Sequence, residues 1–511
     1  MLDVPAWRFL SRAGLPVALA EGQARLAGTV DLRLGRMRPG DLRYDLQGLL
    51  TGVQSDRLVP GRRLEAEHLT LAATEAGIEI AGTARLDGAE ATGTWRMAHA
   101  DRGASRLEAD VAVSPPTLAA LGIALPEGML RGAGSGRLLL DLRPGQPPAF
   151  SFRSTLEGLA LAVPQIGWSK AAAQRGTLVL EGRLGRSPVV ERLALDAPGL
   201  SAQGSLRIGA TGGLERLDLD RLQVGDWLDA PVSLLGPGMA VELRGGTLDL
   251  AHAQLGSGGG GRGGGGPITG RLDRVQVTGG LALTDVTAVL NTAQGLEGRF
   301  AGQVNGGPAV TGRLAPQGGR VGARVQGSDA GAVLRAAGFF AGAEGGTLDL
   351  LLLPAGSQAW KAELFLRSLR VREAPALAHL LNAVSVVGLL QQLGGPGILF
   401  DEVQGEFRID PGRVTVQRSS AVGAGLGLSV EGSYDLTTGR MELRGVLSPF
   451  YLVNGIGALL TRRGEGLFGF DFTLEGPPEA PSVAINPLSA LTPGFLREIF
   501  RAPPPPEWTR A

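Results

Sequence analysis

The sequence has no cysteine. That excludes disulfides, thiolate-ligated zinc and thiol catalysis. Lysine is almost missing as well: Lys170 and Lys361 are the only two, and arginine carries the rest of the basic charge. Acidic and basic residues balance at 49 each, so no basic face is expected to recruit nucleic acid. Aromatic residues make up 5% of the chain, which argues against a series of compact aromatic cores. Long apolar runs are lacking too. Trp7–Arg12 carries two arginines, soon meets Pro16, and is too short and too polar to span a bilayer. The run from Leu377 to Leu393 is interrupted by His379, Asn382, Gln391 and Gln392, which predicts a packed or interfacial helix. No signal peptide is recognisable.

Glycine, by contrast, is abundant, at 81 of 511 residues and without the three-residue period of collagen. The glycines fall mostly at the ends of short apolar runs, where they read as turn residues. Between them the chain alternates apolar and polar residues. Gly405–Asp410, Arg413–Gln417, Leu428–Tyr434, Arg440–Arg444 and Phe468–Glu475 are the clearest cases. Period two puts one face of a strand against apolar material and the other in water, the pattern of an antiparallel sheet covered on one side. The wet face is expected to carry cross-strand charge pairs drawn from Glu431, Asp435, Arg440, Glu442 and Arg444.

A repeat is visible. Gly245–Leu250 reads GGTLDL and recurs as Gly345–Leu350, with a looser copy at Gly134–Leu142. Each copy is expected to follow a short helix, such as Pro116–Gly122 or Asp329–Gly338, at a spacing of roughly a hundred residues. Further helices are predicted over 374–393, 451–461 and 488–501. The last presents Phe495, Leu496, Ile499 and Phe500 on one face, which suits a cap over the final strands or a contact with a membrane or partner. Residues 256–266, GSGGGGRGGGG, predict a flexible loop; no Lys-Ser/Thr pair follows, so a P-loop is excluded. Pro503–Pro506 predicts an extended tail. The expected organisation is N-terminal β-repeats over 1–255, the glycine loop at 256–266, a further β-repeat at 267–373, a C-terminal region at 374–501 and a proline-rich tail at 502–511.

No catalytic constellation emerges. His68, His99, His252 and His379 form no metal-ligand spacing, and no nucleophile elbow is present. The chain is therefore read as non-enzymatic, without metal or cofactor. A carbohydrate-active solenoid would need clustered carboxylates and aromatics, which the sequence does not show. What remains is the apolar face, for which the predicted helices are too few. A second sheet or an acyl-chain ligand is left to cover it.

The ordered series from about 374 to 501 resembles the C-terminal region of AsmA-like proteins of the TamB and YhdP type. The carrying segments are Leu381–Leu390, Gly397–Asp401, Gly405–Ile409, Gly412–Val416 and Gly425–Leu436. They continue through Gly445, Pro449, Tyr451 and Asn454 to Gly464–Phe470 and Asn486–Leu496. The resemblance implies a mainly β fold: an elongated, repetitive antiparallel sheet curled into an open groove, with a few short helices. It also implies a periplasmic protein of the cell envelope, anchored to the inner membrane in its full-length form, that shields phospholipid acyl chains on their way toward the outer membrane. The membrane helix usual at the N-terminus of that family has no counterpart here. The residues expected to line the groove are Phe407, Ile409, Val414, Val416, Leu428, Val430, Met441, Leu443, Phe468, Phe470, Phe472 and Leu474. The alternative expectation is an assembly factor that presents strand edges to outer-membrane proteins.

Overall fold

Alternation and glycine turns together produce hairpins. Asp410 and Arg413 face each other across Pro411-Gly412, where Gly412 holds φ 85°. Proline presets the first turn position and only glycine enters the second without strain, so the chain reverses at that point. Repeated along the sequence, such turns build a mainly β molecule. The structure, a computed structural model, describes residues 19–32, 42–253, 266–449, 469–486 and Ser489, apart from residues 60, 102, 186, 210–211, 237–239, 357 and 479. The glycine loop, the helices expected at 451–461 and 488–501, and the proline-rich tail lie outside the described residues, Gly266 and Ser489 excepted. The chain divides into two compact units near Gly245.

The first unit is an antiparallel meander. It runs from Glu21–Leu32 through Leu42–Ser55, Leu64–Thr74, Gly77–Leu86, Ala89–Ala98 and Ser105–Val113, each strand pairing with the next. After the helix Pro115–Ala120 it resumes at Gly134–Leu142 and Ala149–Ser154 and continues to Ala240–Arg244. Leu130–Gly132, Leu159–Val163 and Trp168–Lys170 form a separate three-stranded sheet. Lys170 is buried there, its Nζ donating to the carbonyls of Leu156, Leu159 and Ala171.

The second unit is likewise built of consecutive strands. Its strands are β1 (Thr247–Asp249), β2 (Ile268–Thr278), β3 (Leu281–Asn291), β4 (Glu297–Val304), β5 (Ala309–Gln317) and β6 (Arg320–Gly327). They continue with β7 (Thr347–Ala355), β8 (Ala359–Val371), β9 (Ile398–Asp410), β10 (Arg413–Val422), β11 (Leu426–Asp435), β12 (Arg440–Pro449), β13 (Phe470–Gly476) and β14 (Ser482–Asn486). Among the described residues three helices interrupt them, α1 (Ala330–Ala336), α2 (Pro375–Ala383) and α3 (Val387–Gly394), and the two-residue strand Ala343–Glu344 pairs with the end of β8. From β2 onward, successive strands pair antiparallel.

The repeat is less uniform than its sequence. In the later copy, Gly345 and Gly346 hold positive φ, and their carbonyls accept from the first amides of α1, Gly331 and Ala330, both at 2.8 Å. The strand that follows, β7, is antiparallel to β6 and β8. In the earlier copy, β1 pairs parallel with β2. Among the described residues no helix precedes that copy: the strands Leu228–Leu235 and Ala240–Arg244 do, which corrects the expectation of a helix before every copy. The residues ahead of Gly245 alternate with a strand period, and that local pattern overrides the analogy between copies. The helix expected over 374–393 is also broken in two. Ser385 adopts φ 58°, a left-handed conformation that ends α2 and redirects the chain into α3.

Candidate functional site

Directly opposed residues of neighbouring antiparallel strands share a face, so the registers give the composition of each face row by row. In the second unit, one row reads Trp360, Ile409, Val414, Tyr434 and Met441. The next reads Ala362, Phe407, Val416, Gly432, Leu443, Leu474 and Val483. A third reads Leu364, Gly405, Ser419, Val430, Gly445, Phe472 and Ile485, and a fourth Leu366, Val403, Ala421, Leu428, Leu447 and Phe470. Ser419 is the only polar side chain in the last three rows, and its hydroxyl is spent on the carbonyl of Val430 at 2.7 Å. Phe407, Ile409, Val414, Val416, Leu428, Val430, Met441, Leu443, Phe470, Phe472 and Leu474 are thereby brought onto one face. Phe468, and the contact residues Phe495, Leu496, Ile499 and Phe500, lie outside the described residues.

Glycine shapes this surface. A Cβ at Gly445 would stand 2.8 Å from the Phe472 ring and 1.9 Å from the Ser429 carbonyl oxygen, so the ring lies flat where another residue would lift it. Two irregularities steer the rows. Between Val416 and Ser419 the register against β11 shifts by a residue, and the inward positions change from even to odd numbers. In β8, Ser368 holds φ 54°, and beyond it Leu369 and Val371 turn to the side that Leu366 occupies before it.

The helical hairpin covers part of the face. Leu377, Leu380 and Leu381 of α2 and Leu389 and Leu393 of α3 are buried in one cluster with Leu369, Val371, Ile398, Phe400, Phe472 and Leu474. The packing is incomplete. A cavity of about 280 Å³ remains between α2 and the sheet, lined by Leu377, Leu380, Phe400, Val430, Leu443 and Phe472 among others. Every lining residue is apolar. For scale, an apolar protein cavity of about 150 Å³ stays dry and accepts benzene. Phe407, Ile409, Val414 and Val416 lie outside the helix-covered cluster and stay half-buried.

The first unit carries comparable rows, which the sequence reading did not single out. One is Leu71, Ile80, Trp95, Leu107, Leu140 and Phe150. Another is Ala109, Leu138, Phe152, Leu180, Leu193, Gly204, Leu219, Val232 and Leu243. Most of these side chains are half-buried, and the helix Pro115–Ala120 buries none of its own residues. The signal was present as alternation, but the pairing that joins these positions into rows is not written in any one strand.

Charge is confined to the opposite face. Glu431 and Arg444 are directly opposed and bonded at 2.9 Å, one of the expected charge pairs, whereas Glu442 faces Ser433 and Glu475 rather than an arginine. Asp435 faces Arg440 but accepts from the amides of Thr437 and Thr438, which hold its carboxyl below the usual range. The Arg324 guanidinium and the Gln326 amide similarly depress Asp349. Among the described residues no three His, Asp or Glu side chains converge as a metal site would require, and no helix is long and apolar enough to cross a membrane. No protein-family model, no curated protein and no solved structure matches the chain.

Proposed function

We propose that the protein is a non-enzymatic lipid carrier of the cell envelope that shields phospholipid acyl chains along its apolar sheet face. The rows carry this reading. They run unbroken by charge across strand after strand in each unit, and helices cover only one end of the face in the second. An apolar surface left half-exposed is unfavourable in water. Acyl chains laid across it recover about 0.8 kcal/mol for each buried methylene. Successive rows offer similar chemistry, so a chain shifted by one row exchanges one set of contacts for an equivalent set and meets no deep trap. The charged opposite face keeps the carrier soluble on its outside while the tails stay dry. The AsmA-like resemblance supports the setting: a periplasmic protein, membrane-associated, moving phospholipid between inner and outer membrane.

The experiment places a photo-crosslinking residue at Val430 or Phe470 in the second unit and at Phe152 in the first, in cells, followed by mass spectrometry of the adducts. Phospholipid adducts at these positions, and none at the outward Arg444, are the expected result. Replacing Phe407 and Val416, which the helices leave uncovered, by glutamate should reduce co-purifying phospholipid at least about tenfold, because a carboxylate against acyl chain has no partner. If the protein isolates without lipid and no inward position captures any, the reading is wrong.

A further inference from the structure

The polar face of β4, β5 and β6 carries a row of one sign. Arg299 lies opposite Arg313, and Arg313 opposite Arg324. All three side chains are exposed, while Val304 and Val310 of the same strands point to the core on the other face. Directly opposed like charges repel; in two other opposed arginine pairs both members have an acid beside them, whereas in the pair Arg207 and Arg216 only Arg216 does, through Asp218. Arg96 opposes Arg106, but Glu79 and Asp141 bond them at 2.8 and 2.7 Å. Arg137 opposes Arg153, and Glu108 and Glu181 lie at 3.1 and 3.6 Å. In the β4–β6 row only Arg324 is relieved, by Asp349. Arg299 and Arg313 have no carboxylate within 4.0 Å among the described residues, and Glu297, two places along the same face from Arg299, bridges neither.

Beside this row the same face is hollowed. A cavity of about 550 Å³ is lined by Thr311, Gln326, Ser328, Thr347, Asp349 and Arg367 together with apolar residues such as Leu348 and Phe365. Thr311 and Gln326 are the next residues on that face after Arg313 and Arg324, so hydroxyl and amide groups stand at the hollow's edge next to the guanidiniums. A guanidinium presents a planar fork that matches phosphate oxygens two at a time. Three guanidiniums against Asp349, and Glu297 farther along the face, leave positive charge in excess for a tetrahedral anion.

We propose that Arg299 and Arg313, with Arg324 beside them, bind a phosphate-bearing anion at the margin of this hollow. The group can come from a phospholipid headgroup or from free phosphate. The proposal uses the face opposite the apolar rows and does not depend on lipid lying there.

The test titrates the full chain with inorganic phosphate at low ionic strength, reading the phosphorus-31 line width and the thermal midpoint, and floats it with phosphatidylglycerol or phosphatidylcholine vesicles. Phosphate should broaden its own resonance and raise the midpoint. Arg299→Gln with Arg313→Gln should weaken phosphate binding about tenfold or more. The Arg299→Lys, Arg313→Lys protein should recover part of that loss, since charge returns without the fork. Arg25→Gln with Arg131→Gln removes the same charge elsewhere and should change nothing. Flotation on phosphatidylglycerol that the glutamine pair abolishes assigns the headgroup; phosphate binding without flotation assigns the free anion. The proposal is overturned if neither probe binds, or if the glutamine pair and the distant control lose binding equally. The lysine variant keeps the test valid should the glutamine variant fold poorly.

Discussion

Lys170 is 1% exposed, and a buried ammonium persists only when its hydrogen bonds are complete. Three carbonyls, at 2.7, 2.8 and 3.1 Å, accept from Nζ and tie the small three-stranded sheet to the loop before it. Burial still pushes the ammonium below the ordinary lysine range, with the nearby Glu157 opposing. Lys170→Met should destabilise the first unit by about 2 kcal/mol, because the carbonyls are left without a donor; urea unfolding would measure this, and an unchanged midpoint would count against the role. Carboxylates set the response to acid. Arg216 and Ser233 hold Asp218 low, and Arg324 and Gln326 do the same to Asp349. Their folded pKa values lie below the unfolded value, so their contribution is complete above about pH 4 and is lost as pH falls through the folded values. Asp218→Asn with Asp349→Asn should lower stability at neutral pH and flatten its fall in acid, as seen in denaturant melts from pH 7 to 2. Composition marked Lys170 as one of two lysines, but nothing local indicated that it was buried.

At the scale of elements, parity along a strand was legible and interruptions of parity were not. The inward set from Phe407 to Leu474 follows from alternation within each strand. Ala421, Leu369 and Val371 could not be placed, because a one-residue shift near Arg418 and a left-handed Ser368 reverse the faces. Ser368→Gly should be neutral or stabilising by up to about 1 kcal/mol, and Ser368→Val destabilising by about 1–2 kcal/mol, since a branched side chain resists positive φ. Thermal melts of both would separate this from a general intolerance of substitution. The docking of α1 is tighter still. A Cβ at Gly331 would sit 2.5 Å from the Cα of Glu344, so Gly331→Ala should destabilise the second unit by about 1–3 kcal/mol despite alanine's better helix propensity. The split of the 374–393 segment was hidden for a related reason: a lone serine is a weak turn signal and does not announce the positive φ that Ser385 adopts.

Across the molecule, the pairing rule is nearly uniform: with few exceptions each strand bonds to the strands before and after it. Such an arrangement is stabilised mainly by neighbour contacts, as in repeat proteins. Removing residues 186–211 excises the strands Val189–Ala197 and Leu200–Ile208 and leaves Thr177–Arg183 antiparallel to Leu214–Val224. Leu180 and Leu219 would then adjoin in one apolar row. The shortened chain should keep a β-type circular dichroism spectrum and a cooperative melt; an unfolded spectrum would show that longer-range packing decides the fold.

The hairpin is also a unit that heredity can copy. Duplicating or losing one changes the strand count by two and rethreads nothing. With neighbouring strands about 4.8 Å apart, each event widens or narrows the sheet by roughly 10 Å. The extent of the apolar face in a meander of this kind can thus be reset by counting hairpins, with no new core to invent at each step.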